Sequence, residues 1–342
     1  MRPSTEELVL EYMQTAESMD LAESTREQKV RLFEEIGRLF RYVDEFDVNK
    51  YRLYLLETGR KKVSVNSYVK MTRPLYKWAV RQGWIAGDPF EGVRKFRVPL
   101  ERIHVYKPCQ IEALLAVSND IWQARILAAV TAGMRRSEAL NLTLDDINFD
   151  DCEIAIQPKR DTAETWEYWP KNKKHRAVPL VPMLYNLIVS RIIPSLPAGQ
   201  QYLTLSEKRH WTLQRQRPLG YRQRINPDEN FTKPFKRIIE RANTLLPALN
   251  RIRNRTFHDL RRTCITFWTQ NRDLSPQEVR ELAGHADIKT TMEYYAAVRT
   301  DVCRRAQTTV GATGYDPATS GPPDQRSAKL SYAPNINFSN GT

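Results

Sequence analysis

At 342 residues the chain is long enough to bury two hydrophobic cores. Its 41% hydrophobic and 27% charged residues are those of a globular protein, and no apolar run approaches the roughly 18 residues of a membrane span. The polar start Met1-Arg2-Pro3-Ser4 carries no secretory leader, so a cytoplasmic protein without a membrane partner is expected, and the net charge of +13 points to a polyanionic partner.

Ser4 and Glu7 form a capping box that opens a short helix over 4–18. A second box, Ser24 and Glu27, opens another, in which Leu32, Phe33, Ile36, Leu39, Phe40 and Val43 keep helical spacing and predict one buried face. A third helix is predicted over 47–58, ended by Gly59. A fourth covers 64–82, begun or interrupted near Pro74. The first fifty residues are acid-rich, whereas Lys50 to Leu100 holds twelve Lys/Arg against three Asp/Glu. Basic residues on helices and on the turn Arg60-Lys61-Lys62 suit phosphate contacts, and this asymmetry is the footprint of a nucleic-acid-binding face. Residues 1–93 therefore read as an all-helical domain and 94–105 as an extended basic linker.

A second domain, 106–309, opens with helices over 108–118 and 120–132. Gly133 breaks the latter before Met134-Arg135-Arg136, and Ser137 opens the next. That places Arg135 beside the free amides of a helix start, a ready anion site. The β signal follows: strands over 152–157, 164–169 and 175–181, forming a small three-stranded antiparallel sheet with the basic turn Lys171-Asn172-Lys173-Lys174 between the last two. A helix over 182–193, a long loop over 194–228 and a helix over 232–246 come next. The closing 310–342, rich in Gly, Pro, Ser, Thr and Asn, reads as a disordered tail. The fold class is thus mainly α with a small sheet (α+β). Cys109, Cys152, Cys264 and Cys303 are far apart with no ligand spacing, which predicts reduced thiols, mostly in the core, and no zinc site.

The stretch from His258 to Tyr294 concentrates the chemistry. His258 and Arg261 in H-D-L-R lie three apart, so on a helix they share a face and can converge on one anion. Arginine holds a phosphate bidentately, and a neutral histidine can donate to it or accept a proton near it. L-A-G-H at 282–285 adds His285, and T-T-M-E-Y at 290–294 adds the phenol of Tyr294, a nucleophile that needs no metal.

H-D-L-R, L-A-G-H and a tyrosine nine residues after that histidine resemble the signature of the tyrosine recombinases, the phage integrase family. T-A-G-M-R-R-S-E at 131–138 resembles the family's arginine box, and K-N-K-K-H-R-A-V-P-L at 171–180 its lysine hairpin. The family usually reads LGH; here Ala283 stands directly before the glycine, and Arg136 stands where an apolar residue is usual. The resemblance implies an N-terminal domain that clamps DNA and a catalytic domain carrying Arg135, Lys171, His258, Arg261, His285 and the nucleophile Tyr294, with Glu138 in support. Counting from Asp146 without an insertion would select Lys159 in place of Lys171, and Tyr295 is the alternative nucleophile. The reaction implied is cleavage of double-stranded DNA through a 3′-phosphotyrosine, resealed without ATP, metal or other cofactor. A homo-tetramer on two DNA sites is the implied assembly, with room for an accessory DNA-bending protein. The biological role would be integration or excision of a mobile element or resolution of DNA dimers. A nicking-closing enzyme of the type IB topoisomerase kind, or a non-catalytic DNA-binding protein on the same fold, are the alternatives.

Overall fold

Side-chain caps set the first helices. In the computed structural model, which describes residues 2–21, 23–99, 103–171, 175–216 and 231–298, Ser4 Oγ accepts from the Glu7 amide at 3.2 Å and Glu7 Oε2 accepts from the Ser4 amide at 3.0 Å. Helix α1 (Thr5–Met13) starts there but stops at Gln14, and α2 (Ala16–Met19) is a separate turn, so the stretch 4–18 is two pieces. Helix α3 (Glu23–Leu39) begins one residue ahead of Ser24 rather than after it. Asp47 caps α4 (Val48–Glu57) by accepting from the amides of Asn49 and Lys50, and Gly59, at φ +82°, ends it. Helix α5 (Lys62–Arg81) runs unbroken past Pro74; the carbonyl at 70 that loses its donor belongs to an exposed residue, where water can replace it. These helices share one core around Leu8, Tyr12, Phe33, Ile36, Leu55, Leu75 and Tyr76, with Phe46 stacked on Tyr76 at 4.0 Å. Leu39 points outward instead.

A separate core is organised around α7 (Asp120–Val130), whose residues from Ile126 to Val130 are all buried. Ile126, Ala129 and Val130 pack with residues of α6 (Pro108–Ala116), α11 (Thr232–Leu245) and α12 (Phe257–Gln270), including Leu114, Phe235 and Leu260. Ala124, Leu127 and Ala128 pack instead with the sheet residues Ile154 and Val178 and with Leu184 of α9 (Pro182–Leu187). One helix therefore carries packing on both flanks, and the short α8 (Arg136–Leu140) starts just beyond its end. Helices α13 (Pro276–Ala283) and α14 (Ile288–Val298) close the described chain against α12. Among the described residues no helix is long and apolar enough to cross a membrane. Cys264 is buried, but Cys109 is only partly so and Cys152 is exposed in a β-turn at φ +53°, so the expected core role holds for Cys264 alone of these three. Cys303, the last residues of the predicted 106–309 domain and the predicted tail lie outside the described residues.

The sheet has three antiparallel strands in the order β1 (Ile147–Asn148), β2 (Glu153–Ile156), β3 (Arg176–Pro179), with Ile154 opposite both Ile147 and Val178. The predicted strand over 164–169 is absent, and β1 takes its place as the third member. Alternation in E-T-W-E-Y-W misleads because Trp166 and Tyr168 anchor a loop to the helical part, while Trp169 is exposed. Trp166 stacks on Tyr202 at 3.8 Å and 9°, its indole N–H donates to Asn141 Oδ1 at 2.8 Å, and its amide donates to the Tyr202 hydroxyl at 3.0 Å. One bridge, Lys159 to Tyr168, is the pairing that remains. Nor is 194–228 all loop: α10 (Glu207–Gln216) lies within it, burying His210 and Leu213.

Trp166→Ala should lower stability by about 3–5 kcal/mol, the usual cost of deleting a buried aromatic, and it also leaves Asn141 Oδ1 without its donor. Urea unfolding should show a lower midpoint with an unchanged slope. A midpoint equal to wild type would mean that the 158–171 segment is not pinned by this ring.

Candidate active site

Helix α12 supplies the first two groups. Thr256 and Asp259 form its capping box, the carboxylate accepting from the Thr256 amide at 2.7 Å and from the hydroxyl at 2.9 Å. That fixes the first turn, so His258 keeps an exposed edge while Arg261 points inward and is 2% exposed. A buried guanidinium needs acceptors. Arg261 finds two, donating through Nη1 to the Gly133 carbonyl and through Nη2 to the Ala283 carbonyl. Burial and then the charge of Arg135 lower its pKa to about 9, which still leaves it cationic at neutral pH.

Gly133 explains how Arg135 arrives. The chain turns there at φ +59°, and a Cβ would lie 2.6 Å from the Trp268 ring, so conformation and space both demand glycine. Two residues later Arg135 caps α8. Its amide donates to Glu138 Oε2 at 2.7 Å, and its Nη1 donates to Oε1 at 2.7 Å. Arg135 Nη2 donates to the Gly284 carbonyl at 2.8 Å. Glu138 is 2% exposed. Burial alone would raise its pKa, but hydrogen bonds from Arg176, and the charges of Arg176, Arg135 and Arg261, bring it to about 2. It is a fixed anion among three cations. Arg136, by contrast, turns outward, its guanidinium 5.5 Å from the Phe231 ring centre.

The turn between α13 and α14 completes the cluster. Gly284 takes the left-handed conformation at φ +62°, ending α13 and exposing its last carbonyls. Leu282, Ala283 and Gly284 each accept from a different arginine: Arg176, Arg261 and Arg135 in that order. The negative end of the helix dipole thus faces three guanidinium groups. Ala283 is buried and supplies one of these carbonyls, so the four-residue L-A-G-H is a working geometry. His285 follows at once, with Thr291 Oγ1 3.0 Å from its Nδ1 and the Tyr294 ring stacked beside it at 5.9 Å and 24°. Tyr294 is 7% exposed; burial raises the pKa of its phenol, against which Arg262 and Arg261 act. Tyr295 is less buried and packs on the outer side of the same cluster.

His258 and His285 both have pKa values near 4. Protein packed against each ring is the largest cause, followed by the charge of Arg261. Both are neutral at pH 7. Six of the seven residues singled out from the sequence therefore converge. Lys171 does not: it is exposed at the foot of the β2–β3 turn, and residues 172–174 lie outside the described residues. Its alternative, Lys159, is spoken for. It is 8% exposed and bound to Asp146 Oδ2 at 2.5 Å. The residue missed from the sequence is Arg176, which holds Glu138 with two nitrogens; the A-V-P-L run that follows it was the available signal. Among the described residues, no group of three His, Cys, Asp or Glu converges as metal ligands would. Chemically, the site is a cationic cradle for a small anion with a neutral base and a phenol at its edge.

Residues 105–300 match the family model described as the phage integrase family. A tyrosine recombinase XerC-like protein of Caldanaerobacter subterraneus subsp. tengcongensis is 26% identical over 287 residues, covering 77% of this chain and 69% of that protein. Among solved structures, the Tn1549 transposon integrase in complex with transposon right end DNA superposes with a TM-score of 0.66 at 18% identity, over 89% of this chain and 99% of that one. A lambda integrase tetramer bound to a Holliday junction gives 0.59 at 15% identity, over 83% and 78%.

Because both histidines have folded pKa values well below the ordinary 6.5, the unfolded chain takes up protons that the folded one refuses as the pH drops from about 6.5 toward 4. Stability should fall across that window. Glu138 adds its own loss only lower, from its ordinary 4.5 toward 2. Denaturant unfolding at pH 7, 5.5 and 4.5 should show the decline, and the double variant His258→Asn, His285→Asn should flatten it. An unchanged slope in that variant would assign the titration elsewhere.

Proposed function

The chain belongs to the phage integrase family, and from that premise we propose that it is a site-specific DNA recombinase that cuts and rejoins double-stranded DNA through a covalent 3′-phosphotyrosine. The observation that carries the reading is the convergence of Arg135 and Arg261 on the end of α13, with Tyr294 stacked on the histidine that follows it.

In this mechanism the cationic cradle receives the scissile phosphate. Arg135 and Arg261 bind its non-bridging oxygens and offset the charge that builds in the pentacoordinate transition state. Tyr294 attacks phosphorus in line, and His258, neutral at pH 7, takes the phenolic proton. Burial holds that proton on Tyr294 until the base and the two nearby guanidiniums draw it off. His285, oriented by Thr291, donates to a phosphate oxygen. Lys171 protonates the departing 5′-oxygen; its exposure leaves it free to enter a groove of the DNA, which Lys159 in its ion pair is not. The phosphotyrosine keeps the energy of the broken phosphodiester, so attack by a 5′-hydroxyl reseals the strand without ATP.

Joining two duplexes requires more than one protomer, and four on two sites is the assembly we propose, supported by the likeness to a lambda integrase tetramer on a Holliday junction. The likeness to a transposon integrase supports work on a mobile element. Residues 1–93 would grip the DNA opposite the catalytic part, through the basic face of α5 that bears Lys70, Arg73, Lys77 and Arg81.

The test uses nicked duplex DNA carrying the sequence beside the protein's own gene, incubated with chelator and without ATP. Wild type should give a covalent protein–DNA band on a denaturing gel, and Tyr294→Phe should give none. A band that persists in Tyr294→Phe would move the nucleophile, with Tyr295 the next candidate. Tight DNA binding with no band from wild type would favour a non-catalytic DNA-binding protein.

A further inference from the structure

We propose that Arg176 is a positioning residue of this site: it locks the turn before His285 to the carboxylate that orients Arg135, and so sets the geometry of the phosphate cradle. The inference rests on the recombinase reading and adds to it a residue outside the predicted set.

The strand fixes where Arg176 starts. It pairs with Ile156 at the beginning of β3, so its Cα is held by the ladder. From there the side chain spans the cluster. Nη1 donates to Glu138 Oε1 at 3.0 Å, Nη2 to Oε2 at 2.6 Å and Nε to the Leu282 carbonyl at 3.0 Å. All three nitrogens are thus committed to protein acceptors. Arg176 serves the substrate through Arg135 and His285.

Two further observations make this more than a buried ion pair. Both Glu138 oxygens accept from Arg176 and from Arg135, so the angle at which Arg176 holds the carboxylate is transmitted to the Arg135 guanidinium. The same side chain also lies directly beneath Gly284. A Cβ on that glycine would come within 2.9 Å of Arg176 Nη1 and 3.1 Å of its Cδ, so Arg176 and the turn that launches His285 fit in one arrangement. Lysine keeps the charge but not the fork, and cannot hold a carboxylate and a carbonyl at fixed angles together.

The experiment compares Arg176→Lys and Arg176→Gln with wild type on the nicked DNA, measuring single-turnover cleavage, DNA affinity and the thermal midpoint separately. Displacement of reacting groups by about an ångström costs on the order of a hundredfold in rate. Both variants should therefore lose about that much in cleavage while DNA affinity stays within about threefold. A second substrate carries sulfur in place of the scissile 5′-oxygen, a leaving group that departs without a proton. Lys171→Ala should regain cleavage on it, whereas the Arg176 variants should not, because their fault lies in the cradle. A DNA-free readout is the NMR titration of His285, whose pKa should rise in Arg176→Gln as a neighbouring positive charge is removed.

Wild-type cleavage by either variant would overturn the proposal, as would rescue by sulfur, which would place the effect on the leaving-group side. A parallel fall of cleavage, affinity and thermal midpoint would reduce Arg176 to a structural ion pair. If wild type itself forms no adduct, the recombinase reading fails, and the His285 titration alone decides: an unmoved titration overturns the positioning role.

Discussion

Three guanidinium groups sharing one buried carboxylate is the arrangement on which the rest of the catalytic half depends. Arg135, Arg176 and Arg261 surround Glu138, leaving a surplus of two positive charges in a place largely closed to water. Two unit charges 4 Å apart interact by about 4 kcal/mol at an effective dielectric of 20, so such a surplus is tolerated only where acceptors are fixed around it. The backbone supplies them. Gly133 and the last three carbonyls of the α13 turn each accept from one arginine. Two glycines with positive φ make those carbonyls available, and the space a Cβ would need is filled by the Trp268 ring at Gly133 and by Arg176 at Gly284. The turn chemistry, the helix ends and the ion cluster are therefore one structure, and its surplus charge is of the sign that the proposed phosphate would balance.

Much of this was legible because short-range rules determine it. His258 and Arg261 are placed by one helix and its Thr256–Asp259 cap, Arg135 and Glu138 by another cap, and His285 by a glycine at a helix end. Spacing along the chain translates into geometry there. Arg176 was not legible for the converse reason: its acceptors lie 38 and 106 residues away, and no local periodicity encodes them. Its strand could be read; the partner across the cluster could not. The same limit explains the lost strand at 164–169. Alternation records that two faces differ, but what Trp166 and Tyr168 meet is set by α8 and Tyr202, far along the chain. Helix α10 was hidden because its mean hydropathy is low and few of its residues are buried.

The 158–171 segment shows how an added length of chain can be accommodated beside such a site. Lys159, bound to Asp146, ties down its beginning, and Trp166 fastens its middle to Asn141 and Tyr202. Tyr168 then reaches the cluster itself: burial raises its phenol's pKa first, and the nearby Glu138 charge raises it further. Only after these anchors does Lys171 emerge at the surface. A lysine delivered by a loose loop would spend much of its time away from the DNA. In the proposed reaction, Lys171 follows by three residues a tyrosine seated near Glu138, and that tether would limit the conformational freedom lost when it engages.

The neutral histidines follow first from burial and then from the same surplus of charge. Protein packed against each ring disfavours the charged imidazole, and the guanidinium groups beside it, Arg261 foremost, lower the pKa of His258 and His285 further. In the mechanism proposed above, that state is the one His258 requires as a base. His285, proposed there to donate to phosphate, needs a proton on only one nitrogen, which a neutral ring supplies. In the proposed mechanism a phosphate in the cradle would cancel part of the field that lowers the His258 pKa and so raise its affinity for a proton. A base placed in this way would be strengthened by the substrate it serves. On Tyr294 that field acts in the opposite sense to burial: burial raises the pKa of the phenol, and the charges of Arg262 and Arg261 draw it back down.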